Sequence, residues 1–164
     1  MSQRFFSTGL GVASLEWSEH GLTRFHLPME TLRPEAAKRM AAPPWIEDVI
    51  ARAQDHFAGR LHDFADVPLD WSRVTPFQKK VYLETRAVRA GYTTTYGAIA
   101  RALGLGPEGS RSVGVAEGAN PWPLIVPCHR VIASNGKMTG FSAPGGIELK
   151  TRLLALERAE LPLG

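Results

Sequence analysis

Eight consecutive residues constrain this chain more than any others: Ile125-Val126-Pro127-Cys128-His129-Arg130-Val131-Ile132. Branched apolar residues on both sides of a polar centre predict short buried strands running into it and out of it. Proline at 127 ends the first strand, and its fixed φ suits the start of a helical turn at Cys128. Cys128 is the only cysteine in 164 residues, and an imidazole stands directly beside it. A thiol is a good nucleophile only as thiolate, and a base, a cation or a helix N-terminus favours that form. The turn is expected to aim backbone N–H groups at the sulfur. The alternative is an inert buried thiol, because free cysteine packs well. A single cysteine also excludes an internal disulfide framework and a cysteine-rich zinc site, and it fits a reducing compartment.

The rest of the chain reads in two parts. Residues 1–74 are expected to form a small α/β domain. Val12 to Trp17 and Leu22 to Leu27, with Phe5-Phe6 before them, read as strands punctuated by Gly9, Gly11 and Gly21. Pro43-Pro44 opens a helical pattern with Trp45, Ile46, Val49, Ile50 and Phe57 on one face, ending at Gly59. An extended linker is expected from Pro68 to Arg73. His20, His26, His56 and His62 are scattered, and their spacing suggests no metal site.

Residues 75–164 are expected to be mainly helical. Thr75-Pro76-Phe77-Gln78 is a capping box with proline at the first helical position, and Phe77, Val81, Tyr82 and Val88 continue as an apolar stripe to Gly91. Thr95 caps a short helix from Tyr96 to Leu103, and a third helix runs from near Pro107 to about Gly118. Three short helices with tight glycine-containing connections fit a helix-turn-helix. After Cys128, a hairpin turning at Asn135-Gly136 into Met138–Phe141 would be the wing of a winged helix. A last helix, about Ile147 to Ala159, carries Leu149, Leu153, Leu154 and Leu156.

Pro127-Cys128-His129-Arg130-Val131 resembles the active-site signature of the O6-alkylguanine-DNA alkyltransferases, also called methylated-DNA–protein-cysteine methyltransferases. The resemblance covers Thr75 to Glu157, with Thr95-Tyr96-Gly97, Arg111-Ser112-Val113-Gly114, Asn120-Pro121 and Gly145-Gly146 in the family's order. It implies single-turnover transfer of a methyl or larger alkyl group from guanine O6 in double-stranded DNA to Cys128, with no cofactor. Glu157 pairs with His129, which activates Cys128 through a water. Arg111, seventeen positions before the cysteine, stands where the family's arginine finger enters the base stack. Tyr96 matches the tyrosine that helps rotate the nucleotide and lies against the flipped base. Asn120 matches the hinge between recognition helix and active-site strand. Two departures stand out. Phe141 replaces a tyrosine in a loop two residues longer than in relatives, where Ser142 is the expected O6 contact; Glu117 stands where some relatives have an apolar pocket residue.

The residues themselves agree in direction. Ser110, Ser112 and Gly114 surround Arg111, so the third helix is small-sided except for one long cation. Major-groove readers carry several long polar side chains, whereas a small-sided helix can lie closely in a minor groove. The DNA-contacting set is therefore expected to be Arg111, Ser110, Ser112 and Gly114, with Thr95 and Arg130. Asn120, Pro127, Val131, Phe141 and Ser142 are expected at the hinge and substrate pocket. A net charge of +3 is modest, but Arg86, Arg89, Arg101, Arg111 and Arg130 crowd this half. With no apolar signal-like stretch or membrane span, the expected setting is a cytoplasmic monomer, nucleoid-associated in a bacterium. Each assignment has a bland counterpart: Arg111 on phosphate only, Tyr96 in the core, Glu157 on a surface helix. The rival functions are a lesion-binding module that flips without repair, a thiol hydrolase or peroxide-reducing protein, and a transcription regulator with a silent cysteine.

Overall fold

The computed structural model describes residues 2–32, 41–135 and 146–159. The first part is an antiparallel meander of β1 (Ser2–Thr8), β2 (Gly11–Ser18) and β3 (Gly21–Met29), with Phe6 opposite Ala13 and Leu15 opposite Phe25. Against it packs α1 (Pro44–Phe57), which buries Ile46, Val49, Ile50, Ala53, His56 and Phe57. Those positions recur at the helical period, so one stripe of α1 meets the sheet and the opposite face meets water.

The segment expected as an extended linker is instead part of the core. Val67 and Leu69 are buried, Leu22 N donates to Pro68 O at 2.9 Å, and Asp70 N donates to Leu22 O at 2.8 Å. The chain thus continues the sheet beside β3 before Trp71–Arg73 make one 3-10 turn capped by Asp70. Gly21 permits this approach: its φ is +138°, and a Cβ there would stand 2.7 Å from the Pro68 carbonyl. The two sequence parts share one apolar core. Trp122 lies edge-on to Trp71 and Tyr82, its Nε1 donates to Leu22 O at 2.8 Å, and Phe25 N donates to Pro121 O at 2.9 Å.

Three helices follow: α2 (Pro76–Arg86), α3 (Tyr96–Ala102) and α4 (Gly109–Gly118). The Thr75–Gln78 capping box is formed in both directions, and Thr95 Oγ1 accepts from Ala98 N to cap α3. Helix α2 stops at Arg86, short of the expected Gly91, because the chain beyond it is held by tertiary bonds: Arg86 reaches Phe64 O and Val67 O, and Val88 O accepts from Arg130. Helix α4 presses at Gly109 against α3 and the turn that follows it, where a Cβ would lie 3.1 Å from the Ala100 Cβ and 2.5 Å from the Leu105 Cβ. Two-residue strands β4 (Thr94–Thr95) and β5 (Val131–Ile132) pair in parallel, and α5 (Gly146–Leu156) closes the core with Leu149, Leu153 and Leu154. The expected wing strand Met138–Phe141 lies outside the described residues. Among the described residues, no helix is long and apolar enough to cross a membrane.

Candidate active site

Cys128 opens a 3-10 turn, Cys128–Arg130, that leads directly into β5. The expected strand before it is a turn instead: Val126 N donates to Trp122 O at 2.8 Å, and Leu124 adopts φ +79°. One side chain clamps that turn. Asn120 donates through Nδ2 to Val126 O at 2.8 Å and accepts through Oδ1 from Trp122 N at 2.9 Å. The amide therefore ties the end of α4 to the backbone delivering the thiol. Nor does the turn aim a row of N–H groups at sulfur. The Cys128 amide donates to Val126 O and the Arg130 amide to Pro127 O.

The sulfur is buried, and burial pushes the Cys128 thiol up to about 12, with Glu117 adding to the rise while an Asn120 hydrogen bond and Lys150 oppose it. The resting group is therefore a thiol, and nucleophilic thiolate has to be generated within the site.

Glu157 organises the proton-accepting side. It stands just past α5, in a turn closed by Arg158 at φ +56°, rather than inside the helix. His129 Nε2 lies 3.0 Å from both carboxylate oxygens; Arg130 grips them with Nε at 2.9 Å and Nη2 at 2.7 Å. Burial alone would push this carboxyl up. Hydrogen bonds from Arg130, His129 and His56 reverse that and hold it well below the ordinary carboxylate range. An ionised carboxylate only accepts, so His129 carries its proton on Nε2 and leaves Nδ1 basic. Burial pushes the His129 imidazole down, only partly offset by Glu157, which keeps it neutral and able to take a proton.

Arg130 was expected on the DNA-contacting face. It is buried, and its guanidinium is committed to Glu157 and, through Nη1 at 2.8 Å, to Val88 O. Its role here is to keep the carboxylate charged. Together with Arg86, it removes two arginines from the basic surface suggested by the sequence.

Two buried ionisable groups border the thiol. Lys150 Nζ donates to Val131 O at 2.8 Å and lies 5.8 Å from the Tyr96 ring centre. Burial pushes its ammonium down, while Cys128 and Glu117 act in the opposite sense. Glu117 meets Thr85 Oγ1 through Oε1 in a short hydrogen bond, and its Oε2 is buried with no partner. Thr85 Oγ1 also contacts Val81 O at 2.9 Å. That hydroxyl has one hydrogen, so both contacts are hydrogen bonds only if Glu117 keeps its own proton. Burial likewise pushes the Glu117 carboxyl up to about 7, against the Thr85 bond and Lys150.

The strand pair brings Tyr96 to this centre, since Thr94 and Thr95 lie beside Val131 and Ile132. Thr95 serves as the cap of α3. Gly114 of α4 faces the Tyr96 ring, where a Cβ would sit 3.9 Å away. On the outer side of α4, Arg111 and Ser112 are exposed, Ser110 and Gly114 are half-buried, and Val115 is 70% exposed. The structure thus joins His129 to Glu157 and Asn120 to the turn that carries Cys128, with Pro127 and Val131 flanking that turn and Tyr96 reached through Lys150, and it leaves Arg111 exposed on the adjoining helix. Phe141 and Ser142 lie outside the described residues. Sequence reasoning missed His56 and Lys150. Both fall on buried stripes, His56 with Val49 and Ala53, Lys150 with Leu149, Leu153 and Leu154, and a polar residue on such a stripe needs a partner. Among the described residues, no group of three or more His, Cys, Asp or Glu side chains is placed to hold a metal ion.

Known proteins are similar to this chain over much of its length. A family model described as the DNA-binding domain of 6-O-methylguanine DNA methyltransferase matches residues 76–159. The methylated-DNA–protein-cysteine methyltransferase of Mycolicibacterium paratuberculosis is 35% identical over 159 residues, 97% of this chain and 93% of that one. A DNA base-flipping protein of Thermus thermophilus is 39% identical over 142 residues, 87% of this chain and 91% of its own. The crystal structure of Mycobacterium tuberculosis OGT in complex with DNA matches with a TM-score of 0.77 at 36% identity, over 95% of this chain and 92% of the other.

Proposed function

The chain belongs to the methylated-DNA–protein-cysteine methyltransferase family, and from that premise we propose how its own residues carry out the repair. It is a DNA-repair methyltransferase whose acceptor is its single cysteine, Cys128. Our reading is that the donor is an O6-alkylated guanine in double-stranded DNA, approached by a monomer through the minor groove. Residues 75–164 act as a winged helix-turn-helix unit and residues 1–74 as the α/β part that buttresses it.

A base inside a stacked duplex is out of reach of a buried thiol, so the nucleotide must rotate out, at a cost of about a few kcal/mol that is smaller for a damaged pair. Arg111 extends from α4 to occupy the vacated stack. Ser110, Ser112 and Gly114 let the helix backbone lie close to the groove walls, and Tyr96 lies against the flipped base. The Cys128 proton passes through a water to His129 Nδ1, whose Nε2–H is held by ionised Glu157. The sulfur attacks the alkyl carbon; the S–C bond forms as the C–O6 bond breaks, and its electron pair goes to O6. The guanine anion accepts a hydrogen bond from the Tyr96 phenol at the ring and is neutralised by the proton that His129 took up, returned through water, so the thiol hydrogen ends on the base and His129 is again neutral. Lys150 beside the sulfur stabilises thiolate. The product is a thioether, which has no thiolate to act again, so each molecule repairs one lesion.

The observation that carries this reading is the Glu157–His129 pair, with both partners buried, one residue from the only thiol. A hydrolase or peroxidase reading has no comparable placement of a helix with a projecting arginine. Single-turnover methyl transfer from a duplex with one O6-methylguanine tests it. His129→Gln and Glu157→Gln are expected to be slower by about 10²- to 10⁴-fold with DNA affinity retained. Transfer at the undisturbed rate by either variant would overturn the relay.

A further inference from the structure

His56 lies at the end of α1, 101 residues from Glu157 in sequence, yet its Nε2 is 2.8 Å from Glu157 Oε2. The ring is 0% exposed. Its other nitrogen is also engaged, because Nδ1 accepts from the His62 amide at 3.1 Å. A backbone N–H can only donate, so Nδ1 supplies the lone pair and the ring proton sits on Nε2. Phe57 and Phe64 meet the ring at near-edge angles, with centroids 6.3 and 5.5 Å away. Tautomer and orientation are both set before Glu157 is considered.

We infer that His56 is a positioning residue for the methyl-transfer relay: its Nε2–H fixes the Glu157 carboxylate that in turn orients His129. The inference rests on the relay reading above. Glu157 Oε2 accepts from three donors, Arg130 Nη2, His129 Nε2 and His56 Nε2, whereas Oε1 accepts from Arg130 Nε and His129. The groups facing this carboxylate are therefore Arg130 and His129 from the cysteine turn and His56 from α1. Donation from His56 draws negative charge away from the edge that His129 shares. Without it, the carboxylate is free to pivot on Arg130 and pulls harder on the His129 Nε2 proton, which makes Nδ1 more basic, so His129 keeps a proton on Nδ1, and the charged state, to higher pH. The α1 helix is in this way part of the reacting machinery and not only a cover for the sheet.

Two substitutions separate positioning from packing. The amide nitrogen of glutamine reaches the place of Nε2, whereas asparagine reaches only the place of Nδ1. His56→Gln keeps the donor to Glu157 and gives up the His62 bond; His56→Asn does the reverse. Both are assayed with Glu157→Gln as the relay control, by single-turnover transfer from a duplex with one O6-methylguanine between pH 6 and 9, well below melting. The expected result is H56Q within about twofold of the parent and H56N slower by about tenfold or more, with its rising limb displaced to higher pH. Equal rates for H56N and H56Q, whether fast or slow, would overturn the assignment. An undisturbed rate for E157Q would instead locate the failure in the relay itself.

Discussion

Replacing Glu117 by glutamine removes a titration that the fold itself creates. The carboxyl moves from 4.5 in the unfolded chain to about 7 in the folded protein, chiefly because it is buried and its Oε2 has no partner. The native state thus binds the extra proton between those values. Its contribution to stability is complete below about pH 4.5 and disappears as pH rises through about 7. At 1.36 kcal/mol per pH unit, the loss is about 3 kcal/mol, with little reduction by solvent for a side chain 5% exposed. Glutamine has the same shape, can donate to Thr85 Oγ1 and does not titrate. Urea unfolding of both proteins at intervals from pH 5 to 8 should show the stability difference, E117Q minus parent, rising by about 2.5 kcal/mol, part of the change being already complete at pH 5. Groups that do not face Glu117 titrate alike in the two proteins and cancel. A difference that stays constant with pH would refute the account of Glu117 as a protonated, desolvated carboxyl. Because ionised Glu117 also helps push the Cys128 thiol up, E117Q should react faster with thiol reagents above pH 7 than the parent does.

Three further outcomes are expected. With its thiol at about 12, free protein holds roughly one part in 10⁵ as thiolate at pH 7, so iodoacetamide should label Cys128 far more slowly than a small thiol; labelling at the small-thiol rate would contradict the burial argument. Arg111→Ala should slow transfer from duplex DNA by about 10- to 10³-fold, the worth of a few kcal/mol of unstacking, while transfer from the free modified base is unchanged. Asn120→Ala leaves Trp122 N unpaired and takes from Val126 O one of its two donors, the Cys128 amide remaining, and should destabilise the protein by about 1–3 kcal/mol in thermal or urea unfolding; a loss under about 0.5 kcal/mol would mean the turn holds without its clamp.

The legible parts of this chain were those set by local chemistry. The Thr75–Gln78 box, the Thr95 cap, the Gly21 turn and the helical stripe of α1 depend on residues a few positions apart, and each is present. The thiol, its neighbouring imidazole and the small-sided helix with one arginine were legible for the same reason. What could not be read was set by distant partners. Arg130 looks like a surface cation until Glu157, 27 residues on, and Val88 are beside it. Pro68 to Arg73 look like a linker because the bonds that make them part of the sheet come from Leu22. His56 looks like one of several scattered histidines, since its partner lies 101 residues away.

The most direct test of the central claim is the intact mass of the protein after mixing with a duplex carrying one O6-methylguanine, with Cys128→Ala alongside and peptide mapping of the product. The account predicts that each molecule gains one methyl group in place of the thiol hydrogen, on Cys128, that uptake stops at one per chain, and that C128A gains nothing. Tight binding of the lesion with no change in mass would contradict it, leaving a protein that recognises the damaged base and does not repair it.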